Sequence, residues 1–213
     1  MVPNKNSNNL FQDPETWAVL EALIDPDPGK REKALADLAG IEGFQDQTLP
    51  LYLLTTRILD PDLEIRYHAI RILGDVLGRD IPGGDLSESS LRILTDFTTQ
   101  LDKSQLVKML EVAARYLAAE DAIVNILKLC SYAGNALDGI VNDRKLPVEI
   151  RQQAINFCGE VGFLSTTTAI RNLIRRIEKD RERTGQVLRR KKHLDEEKLF
   201  PYAVTALAKL ESS

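Results

Sequence analysis

The run Asp60-Pro61-Asp62-Leu63-Glu64-Ile65-Arg66-Tyr67-His68-Ala69-Ile70-Arg71-Ile72-Leu73-Gly74 constrains this chain more than any other stretch, because it is a helix start that the chain repeats. Asp60-Pro61 ends a preceding apolar segment, since the residue before a proline avoids the α region. Asp62 is then free to cap a new helix by accepting from its first N–H groups. Ile65, Ala69, Ile72, Leu73 and Val76 recur at helical spacing and form one apolar stripe. The same arrangement occurs earlier, where Asp25-Pro26-Asp27-Pro28 leads to Arg31, Ala34, Leu35 and Leu38, each 35 positions before Arg66, Ala69, Ile70 and Leu73. It occurs again at Pro147-Val148-Glu149-Ile150-Arg151, followed by Ala154, Ile155, Phe157, Cys158 and Gly159. Weaker copies place Ala113 and Leu117 after Leu106, and Ala203 and Leu207 after Leu199. The marker alanines at 34, 69, 113, 154 and 203 are spaced by 35, 44, 41 and 49 residues. A period of this size is that of stacked helix pairs.

Partner helices fill the intervals. Asp13-Pro14 opens the first, with Trp17, Leu20 and Ile24 as its stripe. The others run over 48–59, over 85–101 with Asp85 and Glu88 spaced as a capping box, over 121–142 with a break near Gly134-Asn135, and from Thr166 to Glu178 or beyond. Composition agrees with a helical reading. Of 213 residues, 43% are hydrophobic but only 6% aromatic, and Gly (12) and Pro (9) are too few for a many-turned β architecture. The expected fold is all-α, a right-handed α-solenoid of about five helix pairs over 13–40, 47–78, 85–118, 120–163 and 165–211. A polar, Asn-rich arm at 1–12 precedes this single repeat domain.

The residues of the 60–74 run resemble the second-helix signature of HEAT repeats, in particular the short HEAT-like type of the phycobilin lyases. That signature joins a turn Asp, a β-branched residue, a basic residue and a small residue, matched here by Asp60, Ile65, Arg66 and Ala69. Asp25, Arg31 and Ala34 match three, with Lys30 in place of the β-branched residue. Ile150, Arg151 and Ala154 match three, with Asp143 displaced. The third and fifth repeats keep only the small residue and the stripe. The resemblance covers nearly all the chain after residue 13 and implies an architecture, not a reaction. By analogy alone it also admits an accessory role toward a chromophore protein.

Catalytic patterns are not found. His68 and His193 lie in different repeats without a second ligand at i+3 or i+4. HEAT-like deoxyhypusine hydroxylases hold iron with His-Glu pairs, whereas here His68 precedes Ala69 and His193 precedes Leu194. Cys130 and Cys158 form no CxxC and fall at core positions, as free thiols suited to a reducing cytoplasm. The glycine-rich run 78–85 lacks phosphate-loop spacing, and no G-x-S-x-G elbow occurs. Acidic pairs, Asp60 with Asp62 and Glu196 with Glu197, are read as helix caps. No enzyme activity, metal or cofactor is expected, and no signal-peptide or membrane-spanning apolar run is seen.

Charge is distributed unevenly. The net charge is −4, but 165–192 carries +7 and the remainder −11. Arg175, Arg176, Arg189, Arg190, Lys191 and Lys192 are its candidate anion-binding residues, for nucleic acid or another polyanion. No aromatic lies among them to stack bases. HEAT-like DNA alkylpurine glycosylases use a broadly basic concave face, where this chain has Glu111, Gln152 and Asn156. The favoured expectation is a cytoplasmic, non-enzymatic scaffold for a protein partner, with no membrane contact. One step and five steps after the marker arginines, Glu32, Tyr67, Glu111 and Gln152 line up beside Arg71, Arg115 and Asn156 as an outward ladder. Arg and Tyr are the types enriched at binding hot spots. Arg66 and Arg151 are assigned to turn carboxylates of neighbouring repeats.

Overall fold

The computed structural model describes residues 14–78, 86–183 and 196–212. Among them are eleven α-helices, three short 3-10 turns and no strand. They are α1 (Pro14–Leu23), α2 (Pro28–Ala39), α3 (Thr48–Arg57), α4 (Leu63–Leu77), α5 (Glu88–Thr99), α6 (Lys103–Arg115), α7 (Glu120–Lys128), α8 (Ala133–Val141), α9 (Val148–Val161), α10 (Thr167–Arg183) and α11 (Phe200–Ser212). The chain divides into two compact units, Met1–Leu94 and Thr95–Ser213, the division falling inside α5. The arm expected at 1–12 and residues 79–85, Asp85 among them, lie outside the described residues.

In the first unit the two Asp-Pro turns set the helix starts. Asp27 accepts from the Gly29 N–H at 2.8 Å ahead of Pro28, and Asp62 accepts from the N–H groups of Glu64 and Ile65 at 2.9 and 3.2 Å. Each cap satisfies donors that the first helical turn leaves open. α1 packs on α2 and α3, and α4 packs on α2 and α3, so α1 and α3 form one layer and α2 and α4 the other. Leu20, Leu23, Leu35, Leu38, Leu51, Leu54, Ile65, Ile70 and Leu73 fill the space between. Each such side chain contributes about 1.5–3 kcal/mol on leaving water.

The α1 stripe differs from the expected one. Trp17 and Ile24 are exposed, at 45% and 60%, while Thr16, Leu20 and Leu23 are buried. Thr16, Leu20 and Leu23 follow i, i+4, i+7 on one face, which turns Trp17 about 100° away from the core. Ile24 lies past the last helical residue.

In the second unit α9 is central: it packs on α6, α7, α8 and α11, and α10 packs on α11 and α8. Ala154, Ile155, Phe157 and Cys158 are its buried face. α6 begins with a complete capping box, the Asp102 carboxylate taking the Gln105 N–H while the Gln105 side chain takes the Asp102 N–H, both at 2.8 Å. α9 ends at Gly162, whose φ of 80° is the left-handed cap that suits glycine.

Two further expectations give way. The helix proposed over 121–142 is two helices, and the break falls at 129–132, not at Gly134-Asn135. Gly134 lies inside α8, where an added Cβ would sit 2.7 Å from Ser165 Oγ and 3.2 Å from Phe163 Cβ. That glycine permits a close approach and does not make a turn. α5 begins at Glu88 and not at Asp85, whereas α10, expected to reach Glu178 or beyond, runs on to Arg183, past the end of its apolar stripe at Ile177.

Candidate functional site

The ladder residues fall in both units. In the first unit, Tyr67 and Arg71 lie one turn apart on α4 and are half-buried. Arg71 donates from a terminal guanidinium nitrogen to Tyr67 Oη at 3.3 Å, and its guanidinium carbon lies 6.0 Å from the centre of the Tyr67 ring. The His68 ring is tilted against Tyr67, with centroids 5.2 Å apart, and His68 Nε2 lies 3.7 Å from the exposed Glu32 carboxylate on α2. Tyr67 and Arg71 thereby share a pre-formed geometry with an apolar ring, a phenol oxygen and a cation at one surface. In the second unit Glu111 and Arg115 are exposed on α6, while Gln152 and Asn156 are half-buried on α9, which packs beside α6.

The marker arginines face the other way, into the turns. Arg31 is 6% exposed and grips Asp60 with two N–H groups at 2.9 Å each, while also donating to the Asp25 and Pro26 carbonyls. Asp60 is itself buried and also takes Arg57 at 3.2 Å and the Asp62 N–H at 3.0 Å. It is therefore an ion-pair centre, while Asp62 alone caps α4. Arg66 donates to the Asp60 and Pro61 carbonyls of its own turn.

Arg151 reaches a carboxylate on Glu196, 45 residues away, and also donates to the Val141 carbonyl at 2.9 Å. Glu196 is not the cap expected of it. It is 6% exposed and receives Arg144 through both oxygens at 2.9 and 3.0 Å, with Arg151 and Arg176 each at 3.2 Å. No local pattern signals this, because the arginines stand 20 to 52 residues from Glu196. Burial lowers the Arg151 guanidinium from its ordinary value, Glu196 opposes that, and the adjacent positive charges of Arg176 and Arg144 reinforce it.

The basic segment is partly neutralised by the chain that follows it. Arg171 donates to Glu211 at 3.2 and 2.7 Å, Arg176 to Glu196, and Arg181 to Glu197 at 3.2 Å. Arg181 also lies over the Phe200 ring, 4.0 Å from its centre. Arg175 and Lys179 are exposed. Arg189, Arg190, Lys191 and Lys192 lie outside the described residues, as does His193.

Among the described residues no group of three His, Cys, Asp or Glu side chains is placed to hold a metal, and no helix is long and apolar enough to cross a membrane. Cys130 and Cys158 are buried free thiols. Burial raises both, Cys158 to about 12, which disfavours the nucleophilic thiolate. An open cleft of about 750 Å³ between α1 and α2 is lined by Ala18, Ala22, Ala34 and Ala36 together with the charged Glu15, Lys30, Lys33 and Asp37. No protein-family model matches the sequence, no curated protein is similar to it, and no solved structure matches the fold.

Proposed function

We propose that the protein is a non-enzymatic scaffold of HEAT-like helix pairs, cytoplasmic, that recognises a protein partner through the outward ladder on its second helices. The observation that carries this reading is the Tyr67–Arg71 pair. These two side chains are held against each other on α4, one turn apart, in a geometry set before any partner arrives. A pre-ordered aromatic and cation lose little freedom on binding, which is what gives such residues their weight at interfaces. Support for the solenoid reading comes from the neighbour relations within each unit, with α2 beside α4, and α6 beside α9 beside α11. Further support comes from the turn-gripping arginine–carboxylate pair of Arg31 and Asp60, 29 residues apart.

The test compares the wild-type chain with Tyr67→Ala/Arg71→Ala in affinity capture from the native host. Loss of a specific captured protein with unchanged helicity and melting supports the reading. Capture that is identical in both, or a collapse of melting that would make these side chains core, overturns it. The second reading, polyanion binding through 171–192, rests among described residues on exposed Arg175 and Lys179, since Arg171 and Arg181 each have a carboxylate partner and Arg176 shares Glu196 with two other arginines. A salt-dependent shift with mixed-sequence RNA or DNA would favour it, and no binding at low salt would remove it.

A further inference from the structure

The Glu196 cluster is unbalanced in charge. Among the described residues three guanidinium groups, Arg144, Arg151 and Arg176, converge on one carboxylate, an excess of two positive charges. Asp143, beside Arg144 in the turn, is already engaged by Lys103 at 2.7 Å. Hydrogen bonding is unbalanced in the same direction. Glu196 accepts four N–H groups, which fills a carboxylate's acceptor sites. Arg176 Nε is left buried with no acceptor. A buried donor without a partner is costly, and like charges held together in a partly buried site repel. Access is graded: the Arg151 side chain is 4% exposed at the back, Arg176 32% and Arg144 53% at the front.

We propose that Arg144 and Arg176, backed by Arg151, bind a phosphate-type oxyanion at the solvent-facing edge of this cluster. A dianionic phosphate group matches the two excess charges, and planar guanidinium forks match its oxygens bidentately. Glu196 then serves as the internal counter-ion that holds the three arginines at one point, and the anion completes the set. The source of the phosphate is either a free small anion or a phosphorylated side chain of a partner, and the two are separable by affinity. This site is distinct from the Tyr67–Arg71 ladder and does not depend on that reading.

The test uses the full chain with inorganic phosphate, followed by thermal melting and by 31P line broadening, against sodium chloride at matched ionic strength. Phosphate is expected to raise the melting midpoint above chloride. Arg176→Gln and Arg144→Gln should each weaken phosphate binding about tenfold, the loss of one charge-assisted contact. A variant with Arg189, Arg190, Lys191 and Lys192 all changed to Gln should bind phosphate as the wild type does. A phosphoserine peptide that binds more tightly than inorganic phosphate identifies a partner's phosphate as the ligand, and equal affinity identifies the free anion. If neither exceeds chloride, or if the 189–192 variant loses binding while Arg144→Gln keeps it, the proposal is overturned. Arg144 is half exposed, so Arg144→Gln keeps the test readable even if Arg176→Gln fails to fold.

Discussion

Arg31 reaches across 29 residues to hold Asp60 through two parallel N–H donors, each 2.9 Å from a carboxylate oxygen, and both side chains are almost fully buried. The pair joins the start of α2 to the turn before α4, so the same aspartate that ends one helix fixes the position of another. Asp60→Ala leaves the Arg31 charge buried without its partner and should destabilise the fold by about 3–5 kcal/mol. Replacing both, Arg31→Met with Asp60→Leu, should cost much less than the sum of the single changes, since the buried Arg31 charge is then not stranded and Arg57, which also loses Asp60, is the more exposed. Urea unfolding of the wild type, Arg31→Met, Asp60→Leu and the double variant measures this. Additive losses would show that the two side chains act separately.

Gly159 on α9 marks the closest approach to α11. A Cβ built there would lie 2.8 Å from Ala206 Cα and 3.1 Å from its Cβ. The nearer of these is backbone, which cannot swing aside. Gly159→Ala should therefore destabilise by about 1–3 kcal/mol through overpacking, despite alanine's better helix propensity. Adding Ala206→Gly should not restore the loss, because the clash with the α11 backbone remains. Full rescue by Ala206→Gly, read by denaturant midpoint, would show that the clash is with the side chain alone.

How much of this is legible without the structure depends on whether the cause is local. The Asp62 cap and the burial of Ile65, Ala69, Leu73 and Val76 follow from neighbouring residues and helical spacing, and the structure has them. Size and spacing from Leu20 place Trp17 in the core on paper. The face that α1 buries is instead fixed by Thr16, Leu20 and Leu23, one step round the helix. Gly134 reads as a break because glycine often marks one, yet its reason is the approach of Phe163 and Ser165. The role of Glu196 is hidden for a different reason: three arginines from a turn, α9 and α10 meet it only in three dimensions. Of the candidate ladder, the positions on α4 are legible from the arginine register, while the Tyr67–Arg71 contact itself is not.

Acidification should act through a small set of held carboxylates. The Asp143 carboxyl lies below its ordinary value of 3.8, first because Lys103 donates to it and then because the Lys145 N–H does. Asp102 is lowered by the Ser104 hydroxyl and the Gln105 N–H, and Asp25 by the Asp27 N–H and Lys30. A folded value depressed in this way gives stability that is present above the unfolded value and lost as pH falls through the folded one. Stability should therefore decline as pH drops below about 4, and Asp143→Asn should make that decline shallower. Denaturant titrations from about pH 6 down to about pH 2.5 span that window. An identical slope in the variant would show that Asp143 takes no part.

At the alkaline end the control passes to the thiols. Burial raises Cys158 from 9.0 to about 12, and Cys130 is raised for the same first reason. In the unfolded chain a thiol ionises near its ordinary value, so the folded state, which keeps Cys158 neutral, holds its full advantage below that value and loses it as pH rises toward 12. Stability should thus fall between about pH 9 and 12 in the wild type, and fall less steeply in Cys158→Ala once the constant cost of the lost packing is subtracted. The same burial predicts that neither thiol reacts with a disulfide reagent in the native protein, because attack requires the thiolate and access to it. Labelling should then proceed only as fast as the surrounding helices open. Rapid labelling of Cys158 under native conditions, or an alkaline slope unchanged in Cys158→Ala, would place that side chain outside the core.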